Sequence, residues 1–293
     1  MNYLFVCNTG SDTLSQINLN NFKEEKCIRI AQDSERYGPH GLCKWKDNII
    51  TANSYNSSLS IIDVLTGKVI EECYIGGNCN DVAVYNNEAI IVCGESNNLI
   101  VFDLENKRIV EEIPIGNLPH SIDINYELDL MDVTNMENST LSILRCSNKE
   151  LIKNISVGCY PTKAFFSEDN NYIFLCESYL GHHCCGFINI ISTKSLCSVG
   201  KIVAGYSPID LCFEGNILYV ANFCEGLIQV IDLKKNKVTK RIFVGGMPRC
   251  IKKKERYIFI GDNYGARLFI YDSLKDEKKS LSIGKEPTDM TLY

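Results

Sequence analysis

Along this chain apolar and polar residues alternate in short bursts. Between 79 and 116, CNDVAVYNNEAIIVCGESNNLIVFDLENKRIVEEIPIG, brief runs of β-branched, aromatic and aliphatic residues are cut by Asn, Gly and Glu. Each run suits a strand and is too brief for a helix. The pattern predicts strand a over 79–85, an Asn-Asn turn, strand b over 89–94, a loop at 95–97, strand c over 98–104 and strand d over 108–115. Four such strands in succession make an antiparallel meander.

The phrase IGGNCNDVAV at 75–84 returns as IGNLPHSIDI at 115–124. A glycine followed three residues later by a compact residue recurs as Gly76/Cys79, Gly116/Pro119, Gly158/Pro161, Gly205/Pro208, Gly245/Pro248 and Gly284/Pro287, and Pro39 is a seventh copy with Arg36 in the glycine's place. A period near forty residues without helical patterning is that of propeller blades. The N-terminal runs YLFVCNTG, TLSQINL and CIRIA supply strands b, c and d, and the C-terminal PTDMTLY supplies only a strand a. Paired, they complete one composite blade and remove an open edge. The expected fold is therefore all-β: a seven-bladed β-propeller of four-stranded antiparallel blades, with residues 1–293 as one domain. The glycine is expected to permit the d-to-a turn and the proline to stiffen the start of the innermost strand, with Cys79 standing in as a compact residue.

The segment ILYVANFCEGLIQVIDLKKNKVTKRIFVGG at 217–246, with the Gly-x-x-Pro phrase, resembles the YVTN repeat of YncE-like and lactonase-like propellers, and the likeness runs over essentially the whole chain. The resemblance implies the fold; members of such families include binding proteins, enzymes and scaffolds. YncE-like relatives are often exported, whereas no basic-then-apolar leader precedes the first strand here, and a cytoplasmic protein is expected.

Composition narrows the partners. No apolar run approaches the roughly 18–20 residues that span a bilayer, so no membrane is expected. A formal charge of −6 disfavours nucleic acid. The one basic cluster, KKKER at 252–256, reads as a solvated turn between strands. Fifteen cysteines, an odd number spaced with the repeat, suit free thiols in a reducing compartment better than a disulfide framework. A monomer is expected.

Chemistry is expected where the d-to-a and b-to-c connections emerge together. Positions just after the proline form a polar ring of mixed charge: His40, Asn80, His120, Thr162, Ile209, Arg249 and Thr288, then Gly41, Asp81, Ser121, Lys163, Asp210, Cys250 and Asp289. Such a ring suits a small anion, a peptide end or ordered water, although for His40 and His120 packing roles with hydrogen bonds to a neighbouring loop are the favoured reading. The long b-to-c loop ESYLGHHCCG at 177–186 adds the other two histidines to this face. The expected ligand-binding set is His40, Asn80, Asp81, His120, Lys163, Glu177, His182, His183, Arg249 and Asp262. A divalent transition metal held by His120, His182 and Cys184 is the sharpest further expectation, though no chelating spacing such as Cys-x-x-Cys supports it. The expected function is binding of a small molecule or a peptide at the channel mouth. An enzyme there, a hydrolase or metal-dependent lyase using His40, His120, Glu177 and His182 or His183, is the first competitor, and a purely structural interaction scaffold is the second.

Overall fold

The computed structural model describes residues 2–32 and 34–293. Among these described residues 28 strands form seven four-stranded antiparallel sheets. Blades 1 to 6 span residues 39–74, 79–114, 119–156, 161–205, 208–243 and 248–282. In blade 2 the strands are Cys79–Tyr85, Glu88–Cys93, Asn98–Asp103 and Arg108–Pro114, each within one residue of the limits read from its apolar runs. Blade 7 is composite: Pro287–Leu292 is its strand a, and Tyr3–Asn8, Thr13–Asn18 and Lys23–Arg29 are b, c and d. Reciprocal main-chain hydrogen bonds, Tyr3 N–H to Tyr293 O at 3.0 Å and Tyr293 N–H to Tyr3 O at 2.8 Å, close the ring.

Strands b and c are apolar on both faces because a blade in a ring has neighbours on both sides. Among the described residues the buried side chains fall into seven clusters, one at each junction between adjacent blades. Leu141, Ile143 and Ile155 of blade 3, for example, pack with Ala164, Ile173 and Leu175 of blade 4. Burial of this kind contributes about 25 cal/mol per Å² of apolar surface, so the ring is held by its junctions more than by any central core. Strand d lies outermost and is largely exposed, as in Arg108–Pro114.

The start of strand a differs from expectation in one respect. The left-handed residue is the one immediately before the proline in most blades, as at Leu118 (φ 50°), Tyr160 (φ 52°) and Glu286 (φ 54°). Gly76 (φ 112°), Gly205 (φ 80°) and Gly245 (φ 72°) do take the positive φ expected of the turn glycine, whereas Gly116 and Gly158 have no positive φ and serve a different need. A Cβ there would lie 2.5 Å from Asn135 Cγ or from Glu177 Oε2, so glycine is required for space beside the last residue of strand b.

The basic run 252–256 is also not a turn. Lys252, Lys253 and Lys254 end strand a of blade 6, Pro248–Lys254, and only Glu255 and Arg256 turn. The alternation of a strand sends the three ammonium groups to different places: Lys252 over the Phe165 ring at 4.9 Å, Lys253 to Glu214 at 2.6 Å, and Lys254 to Asn2. Among the described residues no helix is long and apolar enough to cross a membrane.

Candidate functional site

The seven strand a segments converge on one mouth. Its first tier is the residue after each proline or Cys79, and five of these side chains reach across to a carbonyl of the next blade. His40 Nδ1 donates to Asn80 O (2.7 Å), Asn80 Nδ2 to Pro119 O (3.4 Å), His120 Nδ1 to Thr162 O (2.8 Å), Thr162 Oγ1 to Pro208 O (3.4 Å) and Thr288 Oγ1 to His40 O (2.8 Å). The remaining two members are Ile209, which has no polar group, and Arg249. Among the described residues Arg249 is the only polar member of this tier that makes no hydrogen bond or ion pair.

A second tier supplies charge. Asp81, Asp210 and Asp289 each accept from the amide of the following residue and from an amide in the next blade: Ile122 N–H to Asp81 at 3.2 Å, Ile251 N–H to Asp210 at 2.8 Å, and Leu42 N–H to Asp289 at 3.4 Å. The aspartates thus fasten successive blades as well as charging the mouth. Lys163 Nζ pairs with Asp81 Oδ2 at 2.9 Å across the ring. Burial opposes the Lys163 charge, but Asp81, Asp289 and Asp210 outweigh it and hold the ammonium above the usual lysine range.

His40, Gly41, Asn80, Asp81, His120, Lys163, Ile209, Asp210, Arg249, Thr288 and Asp289 enclose a cavity of about 30 Å³. That is room for ordered water or the tip of one small polar group. The rings of His40 and His120 meet edge to face, 5.7 Å between centroids. A carbonyl only accepts, so each Nδ1 carries the proton and each Nε2 is left bare. Burial and the nearby Arg249 charge push His40 down to about 4 and His120 well below the usual histidine range, so both are neutral at pH 7. Burial raises Asp210 to about 6 against the pull of Lys252 and Lys163.

Of the residues expected from sequence, His40, Asn80, Asp81, His120, Lys163 and Arg249 come together here. Glu177, Asp262, His182 and His183 do not line the cavity. Glu177 is fully buried inside blade 4, accepting from Gly158 N–H at 2.8 Å, Asn189 Nδ2 at 2.7 Å and Lys201 Nζ at 2.7 Å. Asp262 likewise accepts from Met247 N–H and Arg267, both at 2.9 Å. The last residue of strand b faces into its own blade, where it secures the d-to-a connection. His182 and His183 are exposed on the long loop, His182 beside Tyr160 and Tyr179. Among the described residues no three His, Cys, Asp or Glu side chains come together as a metal-holding group, so His120, His182 and Cys184 do not make the expected chelate.

Two features have no signature in the linear sequence. Phe165 is flanked by two lysines, Lys163 at 5.6 Å and Lys252 at 4.9 Å from its ring centre. Next to this, Asp132 is fully buried, paired in register with Asp123, and neither of its oxygens finds a partner. Burial, followed by the Asp123 charge, raises its carboxyl well above the usual range. A lone apolar-looking MDVTN strand carries no signal of that environment; only the register with Asp123 reveals it.

Fold and mouth together define a seven-bladed β-propeller with a polar, nearly closed axial vestibule. No family model and no curated protein matches the sequence. Solved structures do match in shape. Hydrazine synthase of Kuenenia stuttgartiensis superposes with a TM-score of 0.79 at 17% identity, over 89% of this chain and 92% of that one. A protein of unknown function from Desulfotomaculum acetoxidans gives 0.81 at 15% identity, over 100% and 99%. The dihydro-heme d1 dehydrogenase NirN gives 0.71 at 16% identity, over 99% of this chain and 74% of that one. At such identities the likeness speaks for the fold alone.

Proposed function

We propose that this propeller is a binding protein whose mouth reads a carboxylate presented by a small molecule or by the end of a peptide. The observation that carries the reading is Arg249: a guanidinium lining the small cavity at the mouth, in a ring whose other polar members are already engaged. A planar fork of donors suits a carboxylate. The neighbouring aspartates are occupied by backbone amides and Lys163, and the bare Nε2 atoms of His40 and His120 are acceptors for a hydroxyl or amine on the same ligand. Binding is favoured over catalysis because an imidazole held at about 4 is a poor base at neutral pH, and burial pushes the thiols of Cys43 and Cys250 up, away from nucleophilic character. The YVTN-type repeat and the fifteen free thiols support a YncE-like protein of a reducing, cytoplasmic compartment.

Calorimetric titration with a panel of small carboxylates and dipeptides tests this. At least one is expected to bind, and Arg249→Gln is expected to weaken it about tenfold or more, since a hydrogen bond to a charged group is worth about 1.5–3 kcal/mol. Equal affinity of the wild type and Arg249→Gln for every member that binds, or no binding by any, would overturn the reading.

A further inference from the structure

In six blades the first residue of strand a faces the last residue of strand b as proline against a polar side chain: Pro39/Asn53, Pro119/Asn135, Pro161/Glu177, Pro208/Asn222, Pro248/Asp262 and Pro287/Asn8. Blade 2 alone pairs Cys79 with Cys93. Both halves of the pair depart from the repeat together, and to the same residue.

The backbone explains why that position accepts two thiols. The adjoining pair carries a main-chain hydrogen bond, Gly94 N–H to Asn78 O at 2.9 Å in blade 2 and Ser54 N–H to Gly38 O at 2.9 Å in blade 1. Bonded and non-bonded pairs alternate along antiparallel strands, so Cys79/Cys93 is a non-hydrogen-bonded pair. Proline fits the equivalent site elsewhere because no N–H is wanted there. The same pair type brings Cα atoms closest, about 4.5 Å, inside the roughly 4.4–6.8 Å that a disulfide spans. Both side chains are fully buried, with Cys79 Sγ donating to Gly76 O at 3.4 Å and Cys93 Sγ to Ile91 O at 4.0 Å, so neither thiol is tied up by a partner that closure of the pair would strand.

We propose that Cys79 and Cys93 form a redox-modification site, a cross-strand dithiol that closes reversibly to a disulfide by exchange with a low-molecular-weight disulfide such as oxidised glutathione. One cysteine, as thiolate, attacks the added disulfide, giving a mixed disulfide and one reduced glutathione. The second cysteine loses its proton, attacks the bonded cysteine sulfur and expels the second glutathione. The protein gives up two electrons and two protons, and the added disulfide takes them up. Contact with the neighbouring thiol and burial both hold Cys79 in its protonated form, so exchange proceeds through local opening of the strand start and is slow. This proposal is independent of what the mouth binds.

The test equilibrates the full-length reduced chain in a series of oxidised-to-reduced glutathione ratios. Free thiols are then tagged under denaturing conditions, and the peptides read by mass spectrometry, with thermal unfolding followed in parallel. Cys79 and Cys93 are expected to lose tagging in step, as a linked peptide two hydrogens lighter, with a thermal midpoint a few degrees higher. The double variant Cys79→Pro, Cys93→Asn restores the pair used by other blades, so it should fold and show no such redox-dependent rise. Full tagging of both cysteines at every ratio overturns the proposal. So does loss of tagging as separate glutathione adducts, or an equal midpoint shift in the double variant.

Discussion

The two arcs of the mouth are built differently. From blade 7 through blade 4, Thr288, His40, Asn80, His120 and Thr162 each fasten one blade to the next by a side chain on a carbonyl. Across blades 5 and 6 the same positions hold Ile209, whose side chain has nothing to donate, and Arg249, whose side chain donates to none of the described residues. On the first arc a polar side chain is already satisfied by the fold; on the second a guanidinium lines the water-sized cavity and, among the described residues, makes no hydrogen bond or ion pair. Polar residues at one structural position therefore divide into those that assemble the ring and one that remains available to a ligand.

The largest effect expected from breaking this contrast is on stability. Asp81→Ala deprives the Ile122 amide of its acceptor and Lys163, only 14% exposed, of its counter-ion. Removing one partner of a buried pair costs about 3–5 kcal/mol, measurable by urea unfolding. His120→Ala on the fastened arc should cost about 1–3 kcal/mol, because it leaves the Thr162 carbonyl short of a donor and opens a gap. Arg249→Gln on the open arc should cost less than about 1 kcal/mol while losing the ligand; an equal cost for the two would erase the contrast.

Acid sharpens it further. The folded pKa of His40, about 4, lies below the ordinary value of 6.5, so the unfolded chain takes up the proton more readily. Its contribution is whole above pH 6.5 and lost as pH falls towards 4, on the order of 2 kcal/mol after allowing for partial exposure. Asp210, raised to about 6, acts in the opposite sense. The check is therefore the difference between wild type and His40→Gln in unfolding free energy, which should shrink on acidification over that window. The smallest effect belongs to His182→Ala with His183→Ala, which should change stability by less than about 0.5 kcal/mol and leave binding untouched.

The fold was open to reading because proline and glycine punctuate every forty residues and each apolar run is too short for a helix. The mouth was partly open for the same reason, since the residue after each proline must point inward. Glu177 and Asp262 were misplaced because a carboxylate at a strand end looks like rim chemistry, yet the pleat turns it into its own blade towards Gly158 and Met247. The lysines at 252–254 misled in the converse way, as a run of like charge that the strand distributes. Nothing in a linear pattern shows that Cys79 and Cys93 are neighbours; that needs the register of two strands.

The composite seventh blade has a topological consequence. With Tyr3 and Tyr293 held side by side, the order in which the chain visits the blades is a matter of connectivity alone, because the sheets form a cycle. A circularly permuted chain, cut at the Asn86–Asn87 turn and joined through a short flexible segment between its present ends, would keep every inter-blade junction intact and merely move the composite blade elsewhere on the circle.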